Sequence, residues 1–113
     1  MFDDGVTLAL GRALDAVALR QRVKANNIAN VMTPGFRAQK VEFERSLAGA
    51  VAAGDPASAQ ATVLETGATP REDGNNVELE VEQGSLLRSG LHYQAVAQAV
   101  SFKDALLRSA IRG

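Results

Sequence analysis

The sequence predicts a mainly α-helical chain in which long N- and C-terminal helices pack as a coiled-coil pair around an extended or disordered middle segment. Three observations predict it. Apolar residues recur at helical spacing near the N-terminus. A seven-residue apolar repeat runs through the last third. Between them lies a stretch rich in Ala, Gly, Ser, Thr and Pro with few large apolar side chains. The boundaries that follow are 1–44 for the N-terminal helix and an arm, 45–76 for a flexible low-complexity loop, and 77–113 for the C-terminal helix. Together they form one domain, as a chain of 113 residues favours.

The first helix is expected from about residue 5 to 31. At 100° per residue, Val6, Ala9, Leu10, Ala13, Leu14 and Val17 share one face, and Ile28 and Val31 return to it. Thr7, Arg12, Asp15 and Arg22 lie opposite. Arg20 and Lys24 interrupt the stripe, which argues against a dry core around the second half. With Arg22 they make the tightest basic group of the chain, read as a solvated or partner-facing surface, since no aromatic residue interleaves for base stacking.

"KANNIANVMTPGF", residues 24 to 36, ends that helix. Pro34 has no N–H to donate and disfavours helix in the residue before it. Pro34-Gly35 suits the central positions of a type II turn, where glycine supplies a positive φ. Asn26, Asn27 and Asn30 suit a helix end because asparagine bonds nearby backbone. They are expected to bond backbone in their own or a neighbouring subunit, with Pro34, Gly35 and Phe36 aiming the arm that follows. Next, Val41 and Phe43 alternate with Lys40, Glu42 and Glu44, the pattern of a short extended segment. Residues 24 to 44 are therefore read as a hairpin-like or extended arm. The composition of the following stretch reads as a mobile linker.

In the last third two periods compete. Val77, Leu79 and Val81 alternate with glutamates, as in a half-buried strand, while Leu79, Leu86, Tyr93, Val100 and Leu107 are spaced seven apart. A sustained seven-residue repeat is the pattern of a coiled-coil seam, so a helix is expected from about Leu79 or Glu80. Val96, Ala97 and Ile111 lie beside the seam. A second apolar line, Ala95, Ala99, Phe102, Leu106 and Ala110, gives the helix two apolar faces. A surface helix of a small monomer needs one. The second face is read as meeting another subunit.

Composition narrows function. Alanine supplies much of the 46% hydrophobic content and aromatics are 4%, so the chain has little with which to fill a core alone. Net charge is -1, with two mildly basic ends around an acidic middle. Cysteine is absent, which removes disulfides and thiolate sites. No basic n-region precedes an apolar run, so no cleavable signal peptide is read, and no run reaches transmembrane length. His92 is the one histidine, read as a helix-surface residue. Glu78, Glu80 and Glu82 are read as carboxylates favoured by the positive end of a helix. No catalytic, cofactor or metal residues are expected. An enzyme acting through His92 and the Glu78–Glu82 cluster, and a small helical adaptor or chaperone binding a single partner, are the rival readings.

"ANNIANVMTPGFRA", Ala25 to Ala38, resembles the motif near the N-terminus of bacterial flagellar axial proteins, the rod and hook family. "GNNVELE", Glu82, "LHYQ" at Leu91 to Gln94 and the closing "LLRSAIRG" are similar to the short proximal rod members, which lack the large inserted domains of the distal ones. Gln83-Gly84 and Val31-Met32 depart from the family pattern. The resemblance implies a structural subunit of the proximal rod, exported unfolded without a cleaved signal and assembled helically in the periplasm to transmit motor torque. It implies as partners copies of the same chain, the rod proteins FlgC, FlgF and FlgG, FliE and the MS-ring protein FliF at the rod base, and the flagellar export apparatus. The residues expected at subunit contacts are Asn26, Asn27, Asn30, Pro34, Gly35, Phe36, Leu79, Leu86, Tyr93, Val96, Val100, Phe102, Leu106, Leu107 and Ile111.

Overall fold

The computed structural model describes residues 4–112. Residues 1–3 and 113, which the bounds 1–44 and 77–113 include, lie outside the described residues. Helix α1 spans Asp4–Ala29, strand β1 Gln39–Glu42, helix α2 Glu44–Ala52, strand β2 Thr62–Glu65 and helix α3 Leu79–Arg112, with a single 3-10 turn at Pro56–Ser58. The molecule is a slab of 64 × 26 × 14 Å. Its long axis is set by α3, whose 34 residues rise about 51 Å at 1.5 Å each.

The two long helices run antiparallel. Lys24, near the end of α1, meets Glu82 at the start of α3, while Thr7 and Leu10 share a groove with Val100 and Leu107 at the other end. The expected seven-residue line is turned toward α1. Leu86, Val100 and Leu107 are half-buried along it, and Leu79 and Tyr93 lie at its more open points. The interleaved line that completes a coiled-coil seam is Glu82, Ser89, Val96 and Lys103, of which Glu82 and Ser89 are buried. Its polar members explain why the sequence shows the seam itself as a single apolar line. At Gly90 the helices come close enough that an added Cβ would lie 3.6 Å from Gln21 Nε2.

The strand-or-helix conflict at residues 77 to 83 resolves as helix from Leu79. Val77 is buried just before it and Val81 is exposed on it. The second apolar line, Ala95, Ala99, Phe102, Leu106 and Ala110, is exposed throughout. Ile111 lies beside the seam line and is exposed.

The middle departs from expectation. Residues 45 to 76, read as a mobile linker, hold most of α2, the 3-10 turn and β2. Strand β2 pairs antiparallel with β1 in the register Gln39↔Glu65 to Glu42↔Thr62. The physical reason is that alanine is enough where backbones approach closely. Ala16, Phe43, Ala50 and Ala59 form a buried cluster, joined by Ala13, Leu47 and Ala61, with Phe43 the one large side chain. Small residues let α2 and the 3-10 turn seat directly on α1. Helix α1 is thus covered on two sides, by α3 and by this unit, and the arm of residues 24 to 44 folds onto its own chain.

Candidate functional site

The candidate site is the polar joint where α1 stops, the chain turns, and α3 starts. Helix α1 gives way after Ala29. Thr33-Pro34-Gly35-Phe36 then forms the expected turn: Gly35 has φ 76° and the Phe36 N–H donates to the Thr33 carbonyl at 3.2 Å. Stopping a helix leaves carbonyls without intrahelical donors. In α1 those of Asn26 and Asn27 accept from the Asn30 N–H and that of Ile28 from the Val31 N–H, while the carbonyls of the turn that follows are met from more than forty residues later. The Asn75 side-chain amide donates to the carbonyls of Asn30 at 2.8 Å, Val31 at 3.2 Å and Thr33 at 2.8 Å. Arg71 adds a bond to Val31 O at 2.6 Å and another to Val77 O at 3.0 Å.

The segment carrying Asn75 is itself held in shape. Its Oδ1 accepts from the Val77 N–H at 2.7 Å, and its own N–H donates to Asp73 Oδ1 at 3.0 Å. Asn76 fastens the arm, accepting from the Ala38 N–H at 2.6 Å and donating to Ala68 O at 3.0 Å. The Gly35 N–H donates to Asp73 O at 2.8 Å.

Below this joint sits a buried cluster. Asn27 is 0% exposed; its Nδ2 donates to Gln39 O at 2.7 Å and to Glu82 Oε2 at 2.8 Å, and its Oδ1 accepts from the Gln39 N–H at 3.0 Å. Lys24 Nζ lies 3.2 Å from Glu82 Oε1. One carboxylate on α3 therefore holds a lysine and an asparagine of α1, and that asparagine holds the arm. Each group is paired, which is the condition under which such burial is tolerated. Lys24 was expected outside a dry core. It is buried because Glu82 meets it, and Glu82 is the one member of the glutamate trio that turns inward.

Arg20, one helical turn earlier, forks onto Glu44 at 2.8 and 2.9 Å and donates to Val41 O at 2.8 Å. These hydrogen bonds hold the Glu44 carboxyl down at about 2. Of the expected basic surface group, only Arg22 stays exposed.

Asn27 bonds backbone of its own chain, as does Asn30, which donates to Asn26 O at 2.9 Å. Asn26 is different: its side chain takes only a 3.4 Å bond from the Asn30 amide and it is exposed, because it sits on the solvent side of the last helical turn. Pro34 and Gly35 are exposed and Phe36 half-buried. From the sequence alone, Arg71, Asn75 and Asn76 are given no site role, Lys24 is taken for part of a basic surface group and Glu82 for one of three carboxylates at a helix start. The second asparagine pair beside Gly74, echoing Asn26-Asn27, is the signal that could have found two of them. His92 is exposed and lines an open groove with Arg20, Arg88 and Ser85, which offers it cations in place of a carboxylate partner. Among the described residues no three His, Asp or Glu side chains converge as metal ligands.

The comparisons bear on the same elements. A family model described as "Flagella basal body rod protein" matches residues 8–37, which is most of α1 and the turn. The chain is 28% identical to the flagellar basal body rod protein FlgB of Bacillus subtilis, over 96% of this chain and 95% of the relative. It is 32% identical to FlgB of Cereibacter sphaeroides and 32% identical to FlgB of Borrelia hermsii, in each case over 92% of this chain and 94% of the relative. The chain belongs to the FlgB family of flagellar basal body rod proteins. For this FlgB-family chain the polar joint is structural in its chemistry. It satisfies a helix end and locks two helices and an arm into one piece.

Proposed function

We propose that this chain is a structural subunit of the proximal rod of the bacterial flagellar basal body, assembling helically to transmit motor torque across the periplasm. The observation that carries this reading is the outer face of α3. Phe102 is 66% and Leu106 55% exposed, and with Leu87, Leu91, Ala95 and Ala99 they form an exposed apolar stripe on α3 outside the seam with α1. Covering each large side chain is worth about 1.5–3 kcal/mol, so the free chain leaves substantial association energy unused. Contacts of this kind that do not close into a ring build filaments.

In this reading the stretches 1–44, 45–76 and 77–113 act as one domain. Asn26, Pro34, Gly35, Phe102, Leu106 and Ile111, exposed in the single chain, meet neighbouring subunits. Asn27, Leu86, Tyr93, Val96, Val100 and Leu107 hold the subunit in shape for those contacts. Partners are copies of the chain and the rod proteins FlgC, FlgF and FlgG, with FliE and FliF at the base, reached through the export apparatus without a cleaved signal. The chain acts by assembly and not as an enzyme. Relatedness to FlgB proteins over nearly the whole chain supports this over a one-partner adaptor. Deleting the gene and imaging the cell envelope tests it: loss of rods and hooks is expected, and intact rods would refute the reading.

A further inference from the structure

Strand β2 has one edge on β1 and the other open. The Thr66 N–H donates to Ala38 O, so by the alternation of an antiparallel ladder Leu64 and Thr62 point their backbone groups toward β1, and Val63 and Glu65 point theirs away. The far edge of β1 obeys the same phase and is closed by side chains. Asn27 takes both the N–H and the carbonyl of Gln39, and Arg20 takes Val41 O. Among the described residues no side chain does this for β2, all four of whose residues are exposed. The strand is short and carries Glu65, but it has no lysine or proline, and no helix among the described residues covers this edge.

We propose that the outer edge of β2 is a strand-addition site, and that in the free protein it is occupied by β2 of a second copy. The sequence of the strand is complementary to itself. An antiparallel pair centred on Leu64 sets Val63 of each copy against Glu65 of the other, and these residues exchange backbone bonds through the groups that face outward. Leu64 meets Leu64 on the two-fold axis. No carboxylate opposes a carboxylate in this register, whereas centring the axis on Glu65 would set the two Glu65 side chains directly against each other. A two-fold pair has no place in a polar rod, so this pairing belongs to subunits outside it and separates before assembly.

The chain has no cysteine, so one introduced thiol is unambiguous. Residues opposed at a non-hydrogen-bonded position lie about 4.5 Å apart at Cα, within disulfide reach. Purified Leu64→Cys should form a covalent dimer on mild oxidation at least about tenfold faster than Thr69→Cys, an exposed control. Adding Val63→Pro removes an outward N–H and leaves the β1 ladder intact. It should abolish the cross-link while the amide at position 64 keeps its hydrogen-exchange protection. Equal rates at positions 64 and 69, unchanged cross-linking in the proline variant, or an unprotected amide at position 64 in the natural chain would each overturn the proposal. So would a monomeric natural chain in which Val63→Pro abolishes motility, since another protein's strand would then hold the edge.

Discussion

The side-chain amide of Asn27 brackets the backbone of Gln39, accepting from its N–H at 3.0 Å and donating to its carbonyl at 2.7 Å. An asparagine on a helix thereby acts as the missing neighbour of an edge strand. Asn27→Ala leaves two part-buried backbone groups of Gln39 and one oxygen of the buried Glu82 without this partner. Each unsatisfied buried group costs about 1–3 kcal/mol, so a loss of about 3 kcal/mol or more is expected from urea unfolding. In cells the variant should be exported normally and fail to build rods. Normal rods would show that the arm does not depend on this bracket.

Lys24 and Glu82 form the charged link between α1 and α3. Breaking a buried pair from one side costs about 3–5 kcal/mol, because the remaining charge is uncompensated, whereas replacing both partners by apolar groups is often near neutral. Lys24→Met and Glu82→Leu should each destabilise strongly. The double variant should recover part of the loss, short of full recovery because Asn27 still loses its acceptor. A double-mutant cycle showing strict additivity would mean that the pair contributes nothing as a pair.

Asn75 holds the turn that follows a helix at the other end of the chain. Asn75→Asp keeps the shape and the acceptor for the Val77 N–H but removes the donors to Asn30, Val31 and Thr33. It should cost at least as much stability as Asn75→Ala, since it sets a carboxylate against three carbonyls. Hydrogen exchange should speed up first in the last turn of α1 and at Gly35. A change confined to α3 would contradict this assignment.

Glu44 gives a pH signature. Its carboxyl lies at about 2 in the folded chain, against an ordinary 4.5. The unfolded chain therefore takes up this proton first as pH falls. The stabilisation is complete above about 4.5 and is lost as pH drops toward 2. The Glu44 side chain is 64% exposed, so solvent limits the effect to about 1 kcal/mol or less. Comparing unfolding midpoints at pH 6 and pH 3, Glu44→Gln should lose less than the natural chain between the two conditions. An equal loss would remove Glu44 from the account.

Much of this architecture is legible in the sequence, for a physical reason that also sets the limit. The two long helices follow from periods that many residues share, and the Pro34-Gly35 turn follows from backbone geometry that few residues satisfy. The middle is illegible because its core is built from alanines. Ala50 and Ala59 look like linker composition until they are seen buried in one cluster with Ala16 and Phe43. The joint is illegible for another reason. Lys24 and Glu82 lie 58 positions apart, and each alone reads as a solvated charge. Only their meeting makes burial acceptable, and no local period records that meeting.

Two glycines face each other across the joint. Gly74 has φ 85° and Gly35 has φ 76°, in the region where any side chain is strained. They differ in their surroundings. A Cβ on Gly74 would sit 3.2 Å from Gly35 Cα, against backbone that cannot move aside without disturbing the turn, whereas a Cβ on Gly35 meets nothing within 4 Å. Gly35→Ala therefore carries the conformational cost alone, about 1–2 kcal/mol. Gly74→Ala carries that cost and also pushes the Asn75 segment off the helix end. It should destabilise more than Gly35→Ala and should loosen the Asn75 bonds, read as faster exchange at Val77. Gly35→Val adds a branched side chain at the exposed turn and should block rod assembly while leaving export intact. Equal stability losses for the two alanine variants would mean that the glycine pair is not a close contact in solution.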